Sequence, residues 1–158
     1  MTTYIVLKYL HIIGATVLLG TGTGIAFFML MAHRTNNPAT IAATARVVVI
    51  ADLVFTMAAV IAQPVTGVLL ARAAGYSISE GWIVLSIVLY LVTGALWLPV
   101  VWMQARMRDL AVEAATTNAP LSSAYHRLYR LWFAFGFPAF AAVLVILWLM
   151  VARPVIIL

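Results

Sequence analysis

The chain has 158 residues, 66% hydrophobic and only 8% charged, with nine Lys and Arg against four Asp and Glu and a mean hydropathy of +1.13. Soluble domains carry about 25% charged residues, so this composition excludes a soluble core, and the formal charge of +5 belongs with basic residues flanking apolar runs rather than with nucleic acid. The absence of cysteine excludes disulfides, iron–sulfur clusters, thiolate haem ligation and cysteine nucleophiles.

Four apolar runs are each long enough, at about 1.5 Å per residue, to cross a hydrocarbon core of about 30 Å. They predict helices over about residues 4–32, 47–74, 82–107 and 131–152, a single all-α integral membrane domain spanning the whole chain. The first run, from Lys8 to His33, is too long for a secretory leader, and Leu30-Met31-Ala32-His33 lacks a small-x-small cleavage pattern, so it reads as a retained helix. Asn36, Asn37 and Pro38 mark the first connection as a turn, and the short stretch Gly75–Gly81 holds the second and third helices antiparallel. The Ala-rich, charged stretch Arg108–Ala119 predicts a third helix running past the membrane until Asn118-Ala119-Pro120 breaks it, with Ser122 or Ser123 capping the fourth. The expected architecture is a four-transmembrane-helix bundle, up-down-up-down.

Orientation follows from basic residues near the helix ends. Arg34, Arg46, Arg106, Arg108, Arg127 and Arg130 lie on one side, and Lys8, Arg72 and Arg153 on the other, which predicts both termini on the periplasmic side of a bacterial inner membrane.

Polar side chains in lipid are costly and are expected to face the bundle interior. Asp52, Thr56, Gln63 and Thr66 share one face of the second helix, and Ser86, Tyr90, Thr93, Trp97 and Gln104 one face of the third. Asp52, the only acid within the apolar runs, is expected either neutral or paired with Arg106 or Arg130. Pro64 removes a mid-helix backbone donor, and the adjacent Gln63 could bond the carbonyl so freed or line space opened by the kink. The fourth helix offers no interior ionisable group beyond His126 and Arg130 at its end, so its expected role is packing. Gly20-x-x-x-Gly24 reads as a close-packing face, within the bundle or across a homodimer.

Helix one opens with Lys8-Tyr9-Leu10-His11-Ile12-Ile13 and closes with Met31-Ala32-His33. In that helix the chain resembles the HemJ-type protoporphyrinogen oxidases, compact four-helix haem b membrane proteins. The resemblance implies haem b, with His11 as the metal-ligating residue; counting by helical rise puts Gln63 and Tyr90 at similar depth, which makes them cofactor-binding candidates. Over nearly its full length the chain is also similar to a bacterial family of small predicted integral membrane proteins with no assigned function. The stretches concerned are Leu7–His11, Ala51–Thr56, Gln63–Gly67, Leu89–Val101, Gln104–Arg108 and Phe135–Phe140.

Two functional readings follow. In one, the protein is a membrane oxidoreductase binding haem b or a quinone, with His11 as an axial ligand; in the other it is a non-catalytic membrane subunit or small transporter in which Asp52, Gln63 and Tyr90 form a polar interior. His33 and His126 are placed together at the opposite interface, roughly 30 Å from His11. Hydrolysis is the poorest class, since the chain has neither G-x-S-x-G nor H-E-x-x-H, nor a carboxylate pair at one depth.

Overall fold

The computed structural model describes residues 1–157. Four helices account for most of them: α1 (Thr2–Arg34), α2 (Pro38–Ala73), α3 (Gly81–Thr116) and α4 (Ser123–Ala152), each long and apolar enough to cross a membrane. Among the described residues there is no strand. Successive helices run antiparallel, so both termini and the α2–α3 connection lie at one end, here the termini end. The α1–α2 and α3–α4 connections lie at the other, the loop end.

The largest difference from the sequence reading is at the start of α2. Residues expected to form a loop up to Arg46 are already helical from Pro38. Asn37 is the cap: its Oδ1 accepts from the Ala39 and Thr40 amides at 2.9 and 3.2 Å, and Pro38 occupies the first helical position, where its missing N–H costs nothing. The same turn residues therefore start a helix instead of a long connection. α4 also begins early, at Ser123, with Ser122 accepting from the Tyr125 amide at 3.3 Å as its cap.

The helix ends obey backbone rules. Gly75 takes φ +80 after α2, and the Tyr76 amide reaches back to Ala71 O at 3.0 Å while the Gly75 amide reaches Arg72 O at 3.1 Å, a Schellman closure. Asn118 does the same after α3, with the Ala119 amide donating to Ala114 O at 3.0 Å. Beyond α4, Arg153 donates to the Tyr76 hydroxyl at 2.8 Å, tying the C-terminal end of α4 to the α2–α3 connection.

Packing is uneven along the bundle. The main core lies in the loop-end half, where Met29, Ile41, Ala45, Met107, Ala111 and Tyr125 are completely buried. α2 contributes Ile41, Ala42, Ala45 and Val48 to it, and nothing beyond Ala51. A smaller cluster of Ala71, Trp82, Ile83 and Leu149 closes the termini end. α3 and α4 pack along each other; the first half of α2 packs on α3, but its second half, Met57–Ala73, packs on α1. Outward-facing Phe27, Val47, Phe55, Leu91, Phe133 and Phe137 are exposed, as side chains facing lipid must be.

The glycines of α1 do not pack as GxxxG predicts. A Cβ placed on Gly20, Gly22 or Gly24 would meet nothing within 4 Å, so close packing inside the bundle is not their role. The close approach of α1 and α2 occurs instead at Gly14 and Gly67. A Cβ on Gly14 would lie 2.6 Å from Gln63 Nε2, and one on Gly67 would lie 3.2 Å from His11 Cε1.

Candidate functional site

Two polar clusters lie within the spans. The first joins α1 to the termini half of α2. His11 Nδ1 lies 2.9 Å from Thr66 Oγ1, and the Thr66 hydroxyl itself donates to Ala62 O at 2.8 Å. A hydroxyl has one hydrogen, so when Thr66 gives it to Ala62 O the imidazole donates from Nδ1, and when Thr66 gives it to His11 the imidazole accepts there. Gln63 is buried and donates from Nε2 to the backbone oxygen of His11 at 2.9 Å.

Tyr90 does not meet His11. Its hydroxyl donates to Val60 O at 2.5 Å, the carbonyl whose usual i+4 amide is missing because that residue is Pro64. The proline's freed acceptor is therefore satisfied by α3, not by the neighbouring Gln63 as the sequence reading allowed. Of the three cofactor-binding candidates, His11 and Gln63 are brought together and Tyr90 stands apart on a different carbonyl. Among the described residues no three His, Asp or Glu side chains gather as a metal site.

The second cluster surrounds Asp52. Residues Asp52–Thr56 form a π turn within α2, in which the Met57 amide reaches Asp52 O. Such one-residue expansions are frequent at functional sites. Asp52 is 4% exposed and Gln104, facing it from α3, 2%. With the Gln104 amide oriented to satisfy both its neighbours, its nitrogen donates to Asp52 Oδ2 at 2.6 Å and its oxygen accepts from Trp132 Nε1 of α4 at 3.2 Å. Thr56 and Trp97 flank the same carboxyl, yet Thr56 Oγ1 and Trp97 Nε1 are buried without a hydrogen-bond partner in range.

Of the two states expected for Asp52, neutral or paired with an arginine, the paired one is not there. Among the described residues the one ion pair is Arg108 with Asp109, at 2.8 Å on the surface, so Arg106 and Arg130 leave Asp52 to an amide. This also corrects the purely packing role expected for α4, since Trp132 anchors the amide that holds the carboxyl. One hint was available beforehand: Trp132 is an indole donor placed one turn inside a basic helix end.

A third group closes the loop end. His33 stacks on Tyr129, ring centroids 3.6 Å apart and 12° from parallel. Its Nδ1 lies 3.3 Å from the Tyr125 hydroxyl, and the His126 ring is edge-on at 5.9 Å. Tyr129 in turn stacks on Trp132 at 5.8 Å, so an aromatic column links the loop-end surface to the Asp52 cluster. The sequence placed His33 and His126 at one end; it did not show that Tyr125 and Tyr129 join them.

The sequence profile of a family described as "Predicted integral membrane protein (DUF2269)" matches residues 5–154. The chain belongs to that family. No curated protein matches the chain, and no solved structure does.

Proposed function

We propose, from the geometry of the spans, that this protein is a small non-enzymatic transport or coupling protein in which Asp52 is the working ionisable group. The observation that carries the reading is the isolation of Asp52. An acid in a membrane interior is costly and is retained where it serves an ion path or a relay, and here a buried carboxyl on a π turn is held by a neutral amide rather than neutralised by an arginine. The arginine-rich loop end is assigned to the cytoplasm and both termini to the periplasm of a bacterial inner membrane.

The test is flux. Purified protein in vesicles of phosphatidylethanolamine and phosphatidylglycerol is given a potassium–valinomycin potential, and cation movement is followed. Wild type should conduct or exchange a cation and Asp52→Asn should not; equal flux in both would overturn the reading.

A second reading rests on His11. In the tautomer that donates from Nδ1 to Thr66, the Nε2 lone pair is free for a metal, the usual arrangement of a ligating imidazole. Haem b is the group proposed there, and it would supply one-electron chemistry. Gln63 and Tyr90 are turned to backbone carbonyls, so neither supports the reading as a ligand. The visible spectrum of the purified protein decides it.

A further inference from the structure

We infer that the loop end of α4 carries a binding site for an anionic phospholipid, whose phosphate is held by the guanidinium groups of Arg127 and Arg130 while an acyl chain runs along Ala134 and Phe137. The inference is independent of the Asp52 reading and needs only that the spans lie in a bilayer.

The site starts from spacing. Tyr125, Leu128 and Trp132 form the buried face of α4 at this end. Arg127 and Arg130 lie on the outward face, both exposed, three residues and so about 4.5 Å apart along the axis. Like charges at this spacing repel on a helix, and the chain supplies nothing to offset them. Of its four acids, Asp52 is buried against Gln104 and Glu80 stands at the termini end. Asp109 is taken by Arg108 in the one ion pair among the described residues, so Glu113 pairs with no arginine. The compensating charge at Arg127 and Arg130 therefore comes from outside the chain.

The two arginines also share a cleft of about 300 Å³, which they line with Ser123 and Ala124. Guanidinium forks match the oxygens of a phosphate and engage it bidentately. The first-turn amide of Tyr125 is already taken by the Ser122 hydroxyl; the charge that selects an anion is that of the side chains.

Depth decides which phosphate it is. Arg130 is the last charged residue before the uncharged run Leu131–Ala152, so its stem lies against hydrocarbon and its head at the level of the lipid phosphates. Four and seven residues on, along the same face, come Ala134 and Phe137. Phe133 stands beside them, stacked on Phe137 with centroids 6.5 Å apart. All three are exposed. The small Ala134 between Arg130 and Phe137 leaves a shallow step against which a chain can lie. A soluble phosphate would use the arginines alone, whereas a lipid uses the arginines and the apolar track below them. Phosphatidylethanolamine brings an ammonium that two arginines repel; phosphatidylglycerol does not.

The other cleft at this end supplies the contrast. Arg46 is the only charged residue lining it, among Ala39, Ala42, Ala43 and Ala115, so it offers one guanidinium where α4 offers two.

Delipidated protein in a neutral detergent is titrated with dioleoyl phosphatidylglycerol and, separately, with dioleoyl phosphatidylethanolamine, and bound lipid is counted by native mass spectrometry. Wild type should bind the first at least tenfold more tightly. Arg127→Gln/Arg130→Gln should weaken phosphatidylglycerol binding at least fivefold. Arg34→Gln/Arg46→Gln, which removes the same charge from the same end, should weaken it less than twofold. Equal losses in both double variants, or a wild type without preference, would overturn the site. Free glycerol phosphate at the lipid concentration should displace no lipid; displacement would assign the cleft to a soluble phosphate ester and overturn the lipid. All four arginines are exposed, so both lipid-free variants should melt with wild type. Added phosphatidylglycerol should then raise the melting temperature of wild type and of Arg34→Gln/Arg46→Gln by several degrees and leave Arg127→Gln/Arg130→Gln unmoved; an undiminished shift in that last variant would place the lipid elsewhere.

Discussion

The Tyr90 hydroxyl donates to the Val60 carbonyl, thirty residues away in sequence, and so repairs from α3 the backbone break that Pro64 makes in α2. Tyr90→Phe should therefore leave a bare carbonyl in the membrane interior and cost about 0.6–1.7 kcal/mol, the range measured for membrane hydrogen bonds. In a Pro64→Ala background the amide returns and the same change should cost much less. Detergent unfolding of the four proteins of this double-mutant cycle measures the coupling; additive effects would show that Tyr90 serves something other than the proline.

Gly14 and Gly20 are both on α1, but only one is held against a neighbour. Gly14→Ala should drive Cβ into Gln63, where 2.6 Å is available, and destabilise by about 1–3 kcal/mol as overpacking does. Gly20→Ala should be neutral or slightly stabilising, since nothing lies within 4 Å and alanine is the better helix former. Thermal denaturation in detergent separates them, and adding Gln63→Ala should relieve the first.

His11→Ala removes the bond to Thr66, and the expected cost is about 1 kcal/mol. Under the transport reading both proteins are colourless. A haem b Soret band in wild type that disappears in His11→Ala and persists in His33→Ala would establish the second reading.

Asp52→Asn keeps an acceptor oxygen for Gln104 and has no arginine to strand, so its stability should fall within about 1 kcal/mol of wild type. Gln104→Leu is the harsher change, because it strips the buried carboxyl of its donor and should cost about 1–3 kcal/mol. The ranking in detergent unfolding reverses if an arginine is the true partner.

Orientation is checked with fusions after the last residue: alkaline phosphatase should be active there and a cytoplasmic fluorescent reporter dark. The opposite result places the termini in the cytoplasm.

The spans were legible because lipid imposes a length and a polarity that composition cannot hide: the break at Asn118-Ala119-Pro120 and the cap at Ser122 fell where turn chemistry placed them. The start of α2 was misjudged because Asn37-Pro38 serves equally as turn or as cap and first helical residue; Ile41 among threonines and alanines was too weak an apolar signal to break the tie, although Ile41, Ala42 and Ala45 are buried. The buried faces of α2 and α3 were readable from spacing, and Asp52, Thr56, Gln63, Ser86 and Gln104 are indeed buried. Which of them meet was not. The π turn shifts the register at Asp52 by one residue, and the pairings of Tyr90 with Val60 and Gln104 with Trp132 depend on how far one helix slides along another, a quantity no periodicity encodes.

The order in which these helices meet gives the Asp52 cluster one more property. α1 with α2, and α3 with α4, are joined by connections of a few residues, so each hairpin closes at small entropic cost and can form on its own as it leaves the insertion machinery. Thr56 and Asp52 belong to the first hairpin, Trp97, Gln104 and Trp132 to the second. Until the two halves dock, the carboxyl has none of its cross-helix partners; once they dock, it is held. A hairpin left without its mate therefore keeps an acid in the bilayer without the Gln104 amide that holds it in the docked bundle.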